Sequence, residues 1–471
     1  MSLAVTQRPD PATLAARVRE MLDRGRPAAA RPLVAALRAT GASRVLATEL
    51  EARLLWSEGR TGDALTLLDA HLADAGPNAD LCLTRAEICL VGGDLVGAAV
   101  DAADAVMLDR RNPAAKAILG HVLLRLGQTT DAISCLDEAL AANVRAVPTR
   151  LDLATALDAA GSPELGDAVV AGGLALDPCS SALVSATLLR RIRSRDPEAA
   201  ISLARDARRR GALDACGFGL LGHALSSIGR NDEAADAYVE ALKLAPDDRY
   251  VMHLAAAAGR LDPGNRAPPD YVRVLFDGYA GHFETHLVQL GYRVPGLMRA
   301  VLADAGCDAG PVLDLGCGTG LLAVTCGDLT GTPWIGVDLS PRMLAAARTK
   351  NLYDELHEAD ILSYLANEQR SFPLVVAGDV LCYFGALGPV LDAVAARLAP
   401  GGRFVFTVES LDAGTDGVRL GTMGRYVHSR PYILAAAEAA GLEAVAVAGD
   451  VLRLEGGAPV PGLVVTLARS A

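Results

Sequence analysis

The sequence predicts a multidomain chain: an all-α array of repeated helical hairpins, followed by a doubly wound α/β domain. Three observations carry that prediction. The first half of the chain matches itself at a shift of 34 residues, a proline-rich break follows, and near residue 311 an apolar strand runs through a glycine turn into a helix. At 471 residues the chain exceeds what one ordinary core holds, so two or three domains are expected.

Composition narrows the class. Hydrophobic residues make up 51% and charged residues 21%, a globular balance, but aromatics are only 4%, so alanine, leucine and valine must fill the cores. The formal net charge of −12 argues against a general nucleic-acid binder. No uninterrupted apolar run of about 18 residues appears, so no membrane-spanning helix and no membrane partner are expected. The first residues lack a charged start followed by an apolar core, the mark of a secretion signal. Nine cysteines are scattered without a Cys-x-x-Cys pair, which supports neither a metal site nor a redox dithiol. They read as free thiols in a reducing cytoplasm.

Within the repeats, one register reads Ala30, Ala64, Ala98, Ala132, Gly166, Ala200 and Ala234, all small. Five positions earlier stand Gly25, Gly59, Gly93, Gly127, Gly161, Arg195 and Gly229. A glycine suits the turn between two helices, where a left-handed conformation is required. A small residue suits the place where the second helix passes closest to the first. The last unit carries the fullest pattern, Gly222, Leu225, Gly229, Ala234, Tyr238, Ala241 and Pro246, and it resembles the tetratricopeptide repeat (TPR). After a tail over residues 1–10, a TPR solenoid is expected over 11–260. Seven units start near Pro11, Val45, Ala79, Pro113, Val147, Ser181 and Ala215, and a capping helix covers 250–260. Arg195 departs from the turn glycine and marks the sixth unit as the irregular one. The concave groove of such an array serves a protein partner, a polypeptide substrate or self-association into a homo-oligomer; a purely structural role is the alternative.

Residues 261–270, Leu-Asp-Pro-Gly-Asn-Arg-Ala-Pro-Pro-Asp, break the helical pattern and are expected to be a linker. The following stretch, 271–286, gathers aromatics in a chain that has few. It reads either as an amphipathic helix packed on the sheet or as a lid over a ligand.

The second domain is organised around Pro311-Val-Leu-Asp-Leu-Gly-Cys-Gly-Thr-Gly320. A dinucleotide fingerprint would need its third glycine where Leu321 stands, which disfavours a nicotinamide-dependent oxidoreductase. The spacing from Asp314 through Gly320, acid-x-Gly-x-Gly-x-Gly, resembles motif I of the class I S-adenosylmethionine-dependent methyltransferases. Downstream segments extend the resemblance. Trp334-Ile-Gly-Val-Asp338 reads as a second strand ending in an acid, and Asp338 either accepts both ribose hydroxyls or caps the helix that Ser340-Pro341 begins. His357-Glu-Ala-Asp360-Ile361 follows a third strand, and Phe372-Pro-Leu-Val-Val-Ala-Gly-Asp379 reads as a fourth. Leu398-Ala-Pro-Gly-Gly-Arg-Phe supplies a turn into a fifth, a helix over 430–440 follows, and the runs 442–454 and 462–468 form a terminal hairpin.

The resemblance implies a Rossmann-like domain over 271–471 with a seven-stranded mixed sheet, and S-adenosylmethionine as cofactor. It nominates Tyr279, Arg293, Asp314, Gly316, Gly318, Asp338, Leu339, Asp360, Ile361 and Asp379 as cofactor contacts. Among them Asp360 would meet the adenine amino group, Ile361 the ring, and Asp379 the amino group of the methionine moiety. On the acceptor side Tyr383, Arg425 and His428 are candidates: Arg425 suits an anionic acceptor through its forked donors, and His428 is either a base or a neighbour of the cap of the Arg430 helix, bonded to backbone. The expected activity is methyl transfer to a small-molecule acceptor that the sequence does not identify, by O- or N-methylation. The alternatives are a protein methyltransferase recruiting its substrate through the repeat groove, and a non-catalytic TPR adaptor with a nucleoside-sensing domain.

Overall fold

The computed structural model describes residues 10–305, 310–411, 414–455 and 457–470. It divides into two compact units, Met1–Leu213 and Asp214–Ala471. Among the described residues no helix is long and apolar enough to cross a membrane.

The first unit is a row of helix pairs: α1 (Pro11–Asp23) with α2 (Pro27–Ala39), α3 (Arg44–Ser57) with α4 (Thr61–Ala75), and α5 (Ala79–Val91) with α6 (Leu95–Leu108). Then follow α7 (Pro113–Arg125) with α8 (Thr129–Ala142), α9 (Val147–Ala159) with α10 (Pro163–Leu176), and α11 (Ser181–Arg193) with α12 (Pro197–Arg209). Polar side chains at Asp10, Ser43, Asn78, Asn112 and Ser180 cap the first helices by accepting free backbone N–H groups. Each helix packs on the next, and the first helices of successive pairs also touch, which makes the array continuous. The small register is buried throughout, with Ala30, Ala64, Ala98 and Ala132 fully enclosed. At Gly166 even a methyl group would sit 2.6 Å from the Asp158 carboxylate. The sixth pair, expected to be irregular, keeps the common turn, because Arg195 itself adopts φ +59°. That conformation costs a residue with a Cβ about 1–2 kcal/mol relative to glycine.

The second unit begins with a seventh pair, α13 (Ala215–Ser227) and α14 (Asn231–Leu244), and a shorter helix, α15 (Arg249–Ala257). Gly222 lets these two helices approach: a Cβ there would lie 2.4 Å from Cε1 of Tyr238, whose side chain is buried. Gly222→Ala is therefore expected to destabilise this unit by about 1–2 kcal/mol in a urea titration, overpacking outweighing alanine's better helix propensity. At Gly219 the added methyl would meet only Val251 at an ordinary 3.5 Å, so Gly219→Ala should cost nothing.

Residues 261–270 are strapped to the α/β domain. Ala267 N–H donates to the Tyr383 carbonyl (2.8 Å), Ala386 N–H donates to the Asn265 carbonyl (2.8 Å), and the Tyr426 hydroxyl donates to the Pro263 carbonyl. Beyond them come α16 (Pro269–Tyr279), α17 (Phe283–Gln289) and α18 (Val294–Ala305). Tyr271 packs its ring against Tyr250 (5.0 Å) and His253 (4.5 Å), and His253 Nε2 donates to the Gly424 carbonyl (2.9 Å).

The α/β domain alternates strands and helices: β1 (Val312–Leu315), α19 (Leu321–Cys326), β2 (Trp334–Asp338), α20 (Pro341–Thr349), β3 (Glu355–Glu358), α21 (Ile361–Asn367) and β4 (Phe372–Ala377). It continues with α22 (Gly388–Ala395), β5 (Leu398–Ser410), β6 (Val418–Leu420), β7 (Tyr426–His428), α23 (Arg430–Ala439), β8 (Leu442–Glu455) and β9 (Ala458–Arg469). The parallel order is β3-β2-β1-β4-β5, and β9 then β8 extend the sheet antiparallel beyond β5. Apart from Asp314, central strands β1 and β4 are apolar, and they are buried on both faces, as a sheet covered by helices requires. Strand order reverses between β1 and β4, so their carboxyl ends open a crevice.

The sheet has nine strands, where seven are expected. The additional pair is the β6–β7 hairpin. Glu409 already pairs with Gly462 of β9, so β7 joins β5 on the other edge, in the space β4 leaves after Ala377.

Candidate active site

The turn after β1 is set by steric necessity. Gly316 has φ +70°, and a Cβ there would strike Val380 Cγ2 at 2.3 Å. Gly318 has open space above it, the nearest group being Phe283 at 3.8 Å. Its N–H donates to Asp338 Oδ2 (2.9 Å), tying the turn to the tip of β2, while Asp338 Oδ1 accepts from Ser340 N–H (2.8 Å). Burial raises the Asp338 pKa above its ordinary value. The capping of α20 falls to Ser340, whose hydroxyl accepts from Met343 N–H. Asp338 is thus left facing a cavity.

That cavity measures about 430 Å³, within the range of cofactor sites. Gly316, Gly318, Asp338, Leu339, Asp360, Ile361, Asp379, Tyr279, Tyr383 and Arg425 all line it. Asp360 has two roles at once: it caps α21 by accepting from Ser363 N–H (3.2 Å), and it pairs with Arg266 (3.1 Å). Asp379 takes a left-handed φ of +59°, its N–H donates to Thr407 Oγ1 (2.8 Å), and its carboxylate receives Arg453 at 3.1 Å on each oxygen. Tyr279 lies half exposed and stacks on His286 with ring centroids 5.5 Å apart. Tyr383 meets Phe276 edge-on (5.7 Å), and burial pushes its phenol well above the ordinary value, so it stays protonated.

Four expectations need correction. Asp314 is fully buried beneath the turn, outside the cavity lining. Its Oδ2 accepts from the Tyr353 hydroxyl (2.7 Å), Oδ1 has no partner, and burial raises its carboxyl to about 7. Arg293 turns away to pair with Asp450 (2.6 Å), and its neighbour Tyr292 faces the cavity instead. Arg425 lines the cavity, but Glu409 (2.7 Å) and Glu455 already offset its charge, which disfavours an anionic acceptor there. His428 is fully buried and absent from the lining, with Nε2 donating to the Phe384 carbonyl (2.8 Å). Burial lowers its pKa to about 4. It is a structural histidine.

Sequence reasoning missed Arg453 and Glu455. Both lie on β8 and line the cavity; Arg453 joins Asp379, Glu409 and Glu455 (3.0 Å) in one cluster. The available signal was an arginine within the run 442–454, read as one strand of the terminal hairpin, and a glutamate just past its end. Arg266, from the expected linker, also lines the cavity, as do His223, Tyr238 and Tyr250 from the last helix pair and its neighbour.

Residues 312–402 match the family model described as Methyltransferase domain, and residues 218–248 match Tetratricopeptide repeat. Over 104 residues the chain is 35% identical to ribosomal protein L11 methyltransferase of Xanthomonas campestris pv. campestris (strain 8004), covering 22% of this chain and 32% of that protein. Over 137 residues it is 33% identical to demethylmenaquinone methyltransferase of Chlorobaculum parvum (strain DSM 263 / NCIMB 8327), covering 28% of this chain and 56% of that one. The chain therefore spans about a third to a half of the curated relatives it matches. A tetratricopeptide repeat protein from Parabacteroides merdae ATCC 43184 aligns with 53% of this chain and 98% of its own, at 16% identity and a TM-score of 0.40. From the motif, the sheet order and the two family matches, the chain carries a tetratricopeptide repeat at 218–248 ahead of a methyltransferase domain matched over 312–402.

Proposed function

We propose that the chain transfers the methyl group of S-adenosylmethionine to a small-molecule acceptor in the cytoplasm, and that the first unit docks a protein partner. One observation carries the catalytic reading: Asp338 and Asp360, each followed by an apolar residue, line the same cavity as Gly316 and Gly318. These residues fit the cofactor. Asp338 would accept the ribose hydroxyls, Asp360 the adenine amino group, and Leu339 and Ile361 would flank the ring, while the space above Gly318 admits a ligand against the backbone. When bound, the cofactor supplies a methyl group on a sulfonium, already an excellent leaving group. The task left to this chain is alignment and exclusion of water, which can lower a barrier by roughly 7–11 kcal/mol. Tyr292, Tyr383 and Phe276 supply aromatic wall for that region.

Two observations support the remaining parts. The described cysteines are all free, consistent with a reducing compartment. On α5 and α6, Val91 (70%), Val96 (68%), Val100 (56%) and Met107 (68%) are exposed, an apolar surface of the kind that binds proteins.

Calorimetry with S-adenosylhomocysteine tests the reading. The wild-type protein should bind, and Asp338→Ala should weaken binding on the order of 100-fold, the loss of charge-assisted hydrogen bonds together with the anchor of Gly318. Equal affinity in the two proteins would sink the assignment.

A further inference from the structure

The cavity is larger in its demands than a nucleoside alone explains. The chain has seven phenylalanines, two tryptophans and ten tyrosines, and nine of these line this one cavity. Tyr238, Tyr250, His223, Ser226 and Leu254 come from α13 to α15, outside the α/β domain. The contacts of Tyr271 and His253 described above hold that helical end in place.

Apart from Asp338, which faces the ribose site, the charges along the cavity are committed among themselves. Arg266 pairs with Asp360, while Arg425 and Arg453 pair with Asp379, Glu409 and Glu455. Three carboxylates against two guanidinium groups leave one net negative charge, which matches the sulfonium of the cofactor. An anionic acceptor would find no unpaired cation and would lose its hydration without compensation, while a cationic one would compete with the sulfonium for the same negative charge. His223 opens its ring to the cavity, and surrounding protein lowers its pKa, so it is a neutral hydrogen-bonding group at pH 7.

Building on the methyltransferase reading, we propose that α13 to α15 form the acceptor-binding wall of this cavity. The acceptor is a neutral, largely aromatic small molecule whose hydroxyl hydrogen-bonds to His223. The last tetratricopeptide unit is then part of the substrate site as well as the end of a repeat array.

The full-length protein is titrated with 2-naphthol, 2-naphthoate and naphthalene by fluorescence, with and without S-adenosylhomocysteine, alongside Ser226→Trp and His223→Leu. Naphthol should bind the wild type, and naphthoate about tenfold or more weakly by comparison. Ser226→Trp, which fills the wall, should weaken naphthol about tenfold or more and leave S-adenosylhomocysteine affinity within about twofold. His223→Leu should weaken naphthol about fivefold without moving naphthalene, the signature of one lost hydrogen bond. Absence of naphthol binding, equal binding of naphthoate, or indifference of naphthol to both variants overturns the proposal. If Ser226→Trp does not fold, the naphthol and naphthalene titrations of His223→Leu decide. Failure of S-adenosylhomocysteine to bind the wild type refutes the cofactor site instead, and the naphthol titration without it still reports on the wall.

Discussion

Replacing Arg453 with methionine is expected to destabilise the Asp214–Ala471 unit by about 3–5 kcal/mol at neutral pH, the largest effect of any single substitution considered for this chain. The side chain is 2% exposed and bridges carboxylates from three separate segments. Asp379 follows β4, Glu409 lies near the end of β5, and Glu455 ends β8. Methionine preserves the stem and its packing, so the change isolates the loss of the guanidinium. Arg425 then stands alone against Glu409 and Glu455, and Asp379 loses both of its 3.1 Å contacts. An uncompensated carboxylate away from water is the costly outcome, far more so than the modest net worth of the intact pairs. Lysine should restore only part of the loss, because one ammonium cannot present a planar fork to several acceptors. Urea titrations at neutral pH check this, and a deficit below about 1 kcal/mol would mean that water reaches the cluster and solvates it.

That cluster also shows where sequence reading runs out. Local patterns were legible. The helix pairs begin at Pro11, Ala79, Pro113, Val147, Ser181 and Ala215 as the 34-residue register requires, because each turn and each small contact repeats at fixed spacing. Motif I was equally plain, since Gly316, Gly318 and Gly320 must all take positive φ within one turn. Arg453 was opaque because two of its three partners, Glu409 and Asp379, lie 44 and 74 residues away. Arg293 and Tyr292 differ by one position, and only the docking of that segment on Leu452 decides which side chain faces inward. His428 looked like a base because its residue type titrates near neutrality. Its burial depends on the β6–β7 hairpin, whose three-residue strands leave no period to detect. Tyr238 and Tyr250 fitted the repeat pattern so well that a place in the ligand cavity could not be read from it.

The second large effect concerns pH and Asp314. Burial holds this carboxyl at about 7 in the folded protein, against an ordinary value of 3.8, although the Tyr353 hydroxyl opposes the shift. Between those values the folded state keeps a proton that the unfolded chain has released, so the stability that Asp314 contributes falls as pH rises from about 4 to about 7 and is constant above. Asp314→Asn cannot titrate. Its stability relative to wild type should therefore climb with pH by at most about 1.4 kcal/mol per unit, and by about 2 kcal/mol between pH 5 and 7 because the slope flattens near the folded value. His223, His253 and His428 act in the opposite sense, since burial lowers their pKa and stability is lost as pH falls through that range. They are common to both proteins and cancel in the difference. Trp334 on the adjacent strand is buried and reports the unfolding of this sheet by fluorescence, in a Trp56→Phe background that removes the other indole. A difference that stays flat from pH 5 to 7 would show that Asp314 is ionised throughout, with water reaching its unpartnered Oδ1. The charge of Asp338 also helps to raise the Asp314 pKa. Asp338→Ala should consequently bring the upper end of the window below 7, linking the proton held beneath the glycine turn to the carboxylate that faces the cavity above it.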